Sequence, residues 1–421
     1  MEGHADEVNG VHLLPDGRAL SWSDDKTLRL WELESGRCLA VMEGHTGSVN
    51  GVHLLPDGRA LSWSGDNTLR LWELESGRCL AVVEGHTDWV DCVHLLPDGR
   101  ALSWSNDKTL RLWELESGRC LAVLKGHTGD VNGVRLLPDG QALSWSNDKS
   151  LRLWELESGR CLAIMKGHTE MVYGVHLLPD GRALSWSSDK TLRLWELESG
   201  RCLAVMEGHM DQVNGVHLLP AGRALSWSLD YTLRLWELES GLCLAVMEGH
   251  SGGICDVLLL PDGRALSWSD DKTLRLWELE SGRCLAVMEG HESSVNGVHL
   301  LPDGRALSWS EDTLRLWELE SGRCLGVYEV NNLFSAPVQV WRAYLDVTTS
   351  TAGIYCSINS AIFGYQQEKT THILYWQSAS ECNARNLFED GRAVVTQKNG
   401  QFCLLRTYNG DKRVTIGELG G

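Results

Sequence analysis

The chain has 421 residues, with 57 Asp and Glu against 38 Lys and Arg, for a net charge of −19. Acidity on that scale, without clustered Lys and Arg, excludes the footprint of a phosphate backbone, so no nucleic-acid partner is expected. No apolar run approaches the ~18 residues of a membrane span and no signal peptide opens the chain, so no membrane association and a cytoplasmic location are expected.

Gly-His recurs from Gly3-His4 to Gly290-His291 with an unbroken period of 41 residues. Such a period marks an array of one supersecondary unit, and that unit decides the fold. In the first copy a short apolar run, Val8, Val11 and Leu13, ends at Pro15-Asp16-Gly17, a turn signal. Ala19 to Ser23 follows as a strand in which Ser21 and Ser23 share one face and Leu20 and Trp22 the other. Asp24-Asp25-Lys26 predicts a polar turn, and Thr27 to Leu33 alternates again. Glu34-Ser35-Gly36 then turns the chain into Cys38 to Met42. Four short strands per copy make a meandering antiparallel sheet that buries both faces only by stacking against its neighbours.

Of 13 cysteines, eight occupy one repeated position, Cys38 to Cys324, never at Cys-x-x-Cys spacing. They read as small buried hydrophobes in a reducing compartment.

These residues resemble the WD-repeat family of β-propellers, of the highly internally repetitive bacterial type. The resemblance rests on Gly-His, Pro-Asp-Gly, the Ser-x-Ser-x-Asp run and the closing Trp, and it covers Met1 to about Val330. It implies an all-β propeller of four-stranded antiparallel blades. It also implies a structural network within each blade, formed by His, Asp, Trp and one Ser. The matching residues are His4, Asp25 and Trp31; His45, Asp66 and Trp72; His86, Asp107 and Trp113; and His127, Asp148 and Trp154. The remaining copies supply His168, Asp189 and Trp195; His209, Asp230 and Trp236; His250, Asp271 and Trp277; and His291, Asp312 and Trp317. In the first copy the serine is Ser21 or Ser23. The sequence departs from the family in closing on Trp-Glu instead of Trp-Asp, and in carrying a tryptophan, Trp22 and its copies, where a small residue is usual. The eighth copy lacks one residue in its second turn, at Ser310-Glu311-Asp312-Thr313.

Beyond Val330 the composition changes, and all four phenylalanines lie there. Yet Asp390-Gly391-Arg392-Ala393 reproduces Asp16-Gly17-Arg18-Ala19, and the alignment continues ungapped to Gly410 against Gly36. Glu381 to Leu419 therefore reads as a degenerate blade. Gly353 to Ile358, Ala361 to Tyr365 and His372 to Gln377 are strands of another, with Val338 to Leu345 as a fourth strand or a short helix. The expected organisation is residues 1–329 as eight near-identical repeats and residues 330–421 as one or two blades completing the same ring. Leftover blades outside the ring would expose sheet faces and an edge.

The copies agree almost everywhere, so the columns that vary stand out. They follow Gly-His, flank the start of the first strand and surround the Ser-x-Asp turn, all at one end of the sheet. There the third copy carries Trp89 and Asp91 and the fifth Met171 and Tyr173. The sixth carries Met210, Gln212, Leu229 and Tyr231. Large apolar side chains in otherwise polar columns are what a protein-binding hot spot uses. The reading is a non-enzymatic interaction scaffold or sensor that binds a protein on this end, with no cofactor and as a monomer. Copies that recognise one another equally well also invite mispairing or swapping. Three alternatives stand beside it: a glycan- or small-molecule-binding propeller, a scaffold without a ligand, and neutral drift of surface loops. His12 and its copies suggest a ring of imidazoles, but equivalent atoms on neighbouring blades lie too far apart to share one metal ion at ~2 Å. No Ser-His-Asp order, phosphate loop or zinc spacing stands outside the repeats, so an enzyme is not expected.

Overall fold

The computed structural model describes residues 3–301, 303–311 and 313–329, together with six strands between Trp341 and Arg406. Strands β1 (Val8–Leu13), β2 (Arg18–Ser23), β3 (Leu28–Glu32) and β4 (Arg37–Met42) form an antiparallel meander in the order β1-β2-β3-β4. Seven further four-stranded sheets of the same order follow, the last running from Gly297–Leu300 to Arg323–Glu329. The fold is all-β, a β-propeller architecture of eight repeated blades, and no helix occurs among the described residues. None is therefore long and apolar enough to cross a membrane.

Both faces of a blade are buried, because alternate side chains of each strand point to opposite neighbours. Leu20, Trp22, Leu28, Leu30 and Met42 of the first blade pack against Val49, Val52, Ala60, Trp72 and Leu74 of the second. The seam between the fifth and sixth blades repeats this with Leu184, Leu192, Leu194 and Met206 against Val213, Val216, Ala224 and Trp236. Truncating one such tryptophan to alanine costs on the order of 3–5 kcal/mol. Trp22 fits because its cross-strand partner is Gly10. A Cβ on Gly10 would overlap the indole, so the large residue in one strand and the absent side chain in the next are one packing solution. The third blade pairs Cys92 with Trp104 and the seventh Asp256 with Trp268, at the same register.

Two bulges recur. The pairing skips Asn9 in β1 and Leu39 in β4. A bulge re-aims the extra residue. Asn9 uses this to donate to Asp24 Oδ1 (2.7 Å) and to Val49 O of the next blade (3.0 Å).

The chain divides into two compact units, Met1–Val123 with Leu333–Gly421, and Leu124–Asn332. In the first, Trp341–Val347, Ser350–Ser357, Ser360–Gln367 and Thr370–Gln377 form a four-stranded antiparallel sheet, so the segment near Val338 to Leu345 is a strand where it is described. Arg392–Thr396 pairs with Phe402–Arg406, placing Ala393 opposite Leu405 as Ala19 stands opposite Trp31. The rest of the Glu381 to Leu419 segment lies outside the described residues.

Candidate functional site

Seven copies of one polar network are buried in the blades. His4 Nδ1 lies 2.8 Å from Asp25 Oδ2 and Nε2 lies 2.7 Å from Ser21 Oγ, while Trp31 Nε1 donates to the same hydroxyl at 2.8 Å. The carboxylate only accepts and the indole only donates, which assigns the protons. Nδ1–H donates to Asp25, the Ser21 hydroxyl donates to Nε2, and Ser21 Oγ accepts from Trp31. Ser21 thus takes the serine place, whereas Ser23 Oγ accepts from Asp25 N at 3.0 Å and holds the turn. Burial lowers the His4 pKa, opposed in part by Asp25. Burial pushes the Asp25 carboxyl upward, but hydrogen bonds from Thr27, Ala5 and His4 outweigh it and hold the group at about 2. His45, His86, His127, His168, His209 and His250 repeat the 2.7 Å contact to serine. They meet Asp66, Asp107, Asp148, Asp189 and Asp230 at 2.8 Å and Asp271 at 2.7 Å. The tryptophans at 72, 113, 154, 195, 236 and 277 donate to the same serines at 2.7 to 2.8 Å.

The eighth blade differs. Asp312 lies outside the described residues, and His291 Nδ1 meets Ser310 Oγ at 3.0 Å and Thr313 Oγ1 at 2.9 Å. Its Nε2 keeps Ser308 at 2.6 Å, to which Trp317 also donates. Burial, with Arg315 nearby, brings this histidine down to about 4.

The variable columns lie on two turns that hydrogen-bond to each other in the first seven blades. Asn106 N donates to Trp89 O (3.1 Å), Ser188 N to Met171 O (3.1 Å) and Leu229 N to Gln212 O (3.2 Å). The variable residues fall into two groups. Met210 is 74% exposed, Trp89 58%, Tyr231 46% and Met171 38%. Asp91, Tyr173, Gln212 and Leu229 are half-buried. Tyr173 and Asp91 occupy the bulge position held by Asn9 in the first blade. The Tyr173 hydroxyl donates to Gln212 Oε1 at 3.0 Å, so this pair joins the fifth blade to the sixth. Met210 and Tyr231 flank one carboxylate, since Met210 N donates to Asp230 Oδ2 at 2.7 Å. Tyr231 sits at φ 72°, a left-handed conformation that lysine or asparagine holds in the other turns of this kind. A bulky residue there is strained. Trp89 belongs to the other compact unit, its indole placed so that a side chain on Gly65 would just touch it.

Cys255, at the same bulge in the seventh blade, donates to Asp270 Oδ1 at 3.5 Å. Burial first, then Asp270, pushes its thiol up to about 12, which leaves no thiolate nucleophile at neutral pH. Among the described residues no three His, Cys, Asp or Glu side chains come together to hold a metal ion.

Two inter-blade devices escape a reading of single columns. His12 Nε2 donates to Val52 O of the next blade at 2.8 Å, and His53, His176 and His217 do the same to Val93, Val216 and Val257. Arg135, which interrupts that column, lies over Trp145 instead. At the opposite end of the sheets Arg18 bridges Asp16 and Glu75 of the next blade, and Arg59 bridges Asp57 and Glu116. Arg182, Arg223 and Arg264 reach Glu239, Glu280 and Glu320 in the same way. The signal available in the sequence was the pairing of two columns about 57 residues apart, arginine in all blades but the fourth and glutamate throughout, such as Arg59 and Glu116.

Among curated proteins none matches the chain. A solved structure, described as the crystal structure of the computationally designed Ika8 protein, is 23% identical with a TM-score of 0.52, covering 76% of this chain and 98% of that one. At that identity the likeness speaks for the fold alone. The family described as WD domain, G-beta repeat matches residues 1–32, 36–73, 77–114, 118–155, 159–196, 200–237, 241–278 and 282–318. With the repeated meander and its buried His, Asp, Ser and Trp network, these eight matches make the chain a member of the WD-repeat family.

Proposed function

We propose that the protein is a non-enzymatic interaction platform that binds a protein partner on the variable-turn end of its blades, chiefly at the fifth and sixth. Met210 carries the reading: a methionine 74% exposed, beside a tyrosine held in left-handed backbone where other copies place lysine or asparagine. Drift relaxes toward small polar residues and unstrained turns, and here two large apolar side chains persist against strain and solvation. Tyr173 and Gln212 tie the two blades together beneath them. Adaptable thioethers and amphipathic rings suit a protein surface better than a repeated sugar site, which would need the same residues in every blade.

The test is recovery of partners from source lysate by the native chain and by Met171→Ser, Met210→Thr, Tyr231→Asn, with matched melting curves for the two. A protein retained by the first and lost by the second supports the platform. Equal recovery overturns it.

A further inference from the structure

Of the five lysines in the left-handed turn position, Lys149 and Lys190 reach forward by one blade. Lys149 Nζ donates to Thr169 O at 2.5 Å and Lys190 Nζ to Met210 O at 2.8 Å, each the carbonyl just after a network histidine. Lys149 and Lys190 hold φ of 70° and 72°, and Tyr231 holds the same 72° one blade further on. Tyrosine has no ammonium to send across. The equivalent carbonyl there is Ser251 O, and among the described residues no side chain donates to it.

Beside it the chain has Gly253. A Cβ at that residue would lie 2.7 Å from Leu229 Cδ2 and 3.3 Å from Asp270 Oδ2. A side chain there would clash with Leu229, so the glycine lets the Leu229 methyl pack against the backbone, next to the exposed Asp270 carboxylate. Asp270, Asp256 and Asp271 each raise the Cys255 thiol further after burial has done so, which registers the same negative potential.

We infer that the junction of the sixth and seventh blades binds a lysine or arginine side chain of an extended segment of the partner protein. The cation donates to Ser251 O and Asp270, in the place that Lys149 and Lys190 fill internally on the preceding blades. Its aliphatic stem lies against Leu229 and the Tyr231 ring, which also attracts the charge. An apolar residue next to it in the segment meets Met210. The inference rests on the protein-binding reading and names its chemistry.

The experiment is fluorescence anisotropy of the full chain with a labelled peptide of alternating leucine and lysine flanked by glycine and serine. Matched peptides carry acetyl-lysine or glutamate in place of lysine. The lysine peptide should bind saturably, and the other two at least about tenfold more weakly, as expected for loss of a charge-assisted contact. Tyr231→Lys restores the residue found in other blades, so its fold is kept, and its own ammonium should abolish peptide binding. Asp270→Asn should weaken binding about three- to tenfold. No saturable binding, equal binding of lysine and acetyl-lysine peptides, or undiminished binding to Tyr231→Lys overturns the inference. If a lysate partner still depends on Met210 and Tyr231 while the peptides ignore charge, the cation site falls and the interaction platform stands. If neither depends on them, both fall.

Discussion

Ser21 is one hydroxyl serving two buried groups, the His4 ring and the Trp31 indole. Removing it leaves a donor and an acceptor unsatisfied in the blade. Ser21→Ala should therefore lower stability by about 1–3 kcal/mol, and urea unfolding is the measurement. Ser23 holds only turn backbone, and Ser23→Ala should cost less, about 1 kcal/mol. Tyr231 runs the other way. Replacement by asparagine or glycine relieves the left-handed strain and should raise stability by about 0.4–1 kcal/mol while reducing partner recovery. A fall in stability would mean that the tyrosine is held by packing and not tolerated for binding. These roles were unequally legible. The network residue types follow from the family pattern. Which serine serves the histidine could not be read from the strand face, because Ser21 and Ser23 share it. Only the position of His4 along the strand decides.

At the scale of the element, strand number, order and turn positions were readable because tight turns and two-residue alternation repeat eight times. The bulges were not, because a bulge alters pairing without altering the apolar pattern. That cost the reading something at the candidate site. Asp91 and Tyr173 looked like surface substitutions, yet they occupy the bulge from which Asn9 clasps the next blade. Half of the variable residues are thus seam residues that also differ, and Met171, Met210, Tyr231 and Trp89 are the ones that meet solvent. The arginine clasps at the far end are a second element-level feature. Arg182 meets Asp180 and Glu239, carboxylates that are well exposed, so Arg182→Gln should cost no more than about 1 kcal/mol. The fourth blade already carries Gln141 in that column. Chemical denaturation at low and high salt checks this, and a larger loss would mean that the aliphatic stem matters more than the charge.

For the whole molecule, the repeated histidines make stability depend on acid in a defined direction. Their folded pKa values lie below the usual 6.5, so the folded state binds fewer protons than the unfolded state. The stability they contribute is present above pH ~6.5 and is lost as pH falls from there toward about 4, the value reached by His291. Asp25 loses its contribution only below pH ~4, on the way to about 2, and its copies from Asp66 to Asp271 are likewise held below the usual carboxylate range. The melting temperature should fall continuously on acidification from pH 7 to 4, and a flat profile there would refute the assignment of neutral buried imidazoles. The C-terminal strands belong to the same scale. We propose that residues 330–421 complete the propeller, since Ala393 and Leu405 keep the register of Ala19 and Trp31. Deleting them should lower the melting temperature and promote association through uncovered sheet surface, read by light scattering. An unchanged monomer of equal stability would make them an appendage.

The seams have a consequence for how the chain finds its order. The face built from Leu20, Trp22, Leu28 and Leu30 meets Val49, Val52, Ala60 and Trp72, and nearly the same atoms meet at the later seams. Such a face carries no address. Its apolar part accepts any other copy nearly as readily as its proper neighbour, so sequence order in space comes mainly from the short connections, with a few unlike polar pairs such as Tyr173 and Gln212 added at single seams. A chain with one internal repeat excised, cut at equivalent residues, would present to each remaining blade a partner that it already fits. Length can therefore change in steps of one repeat with little penalty at the joints, while the few unlike turns, Tyr231 among them, decide what the altered molecule can still recognise.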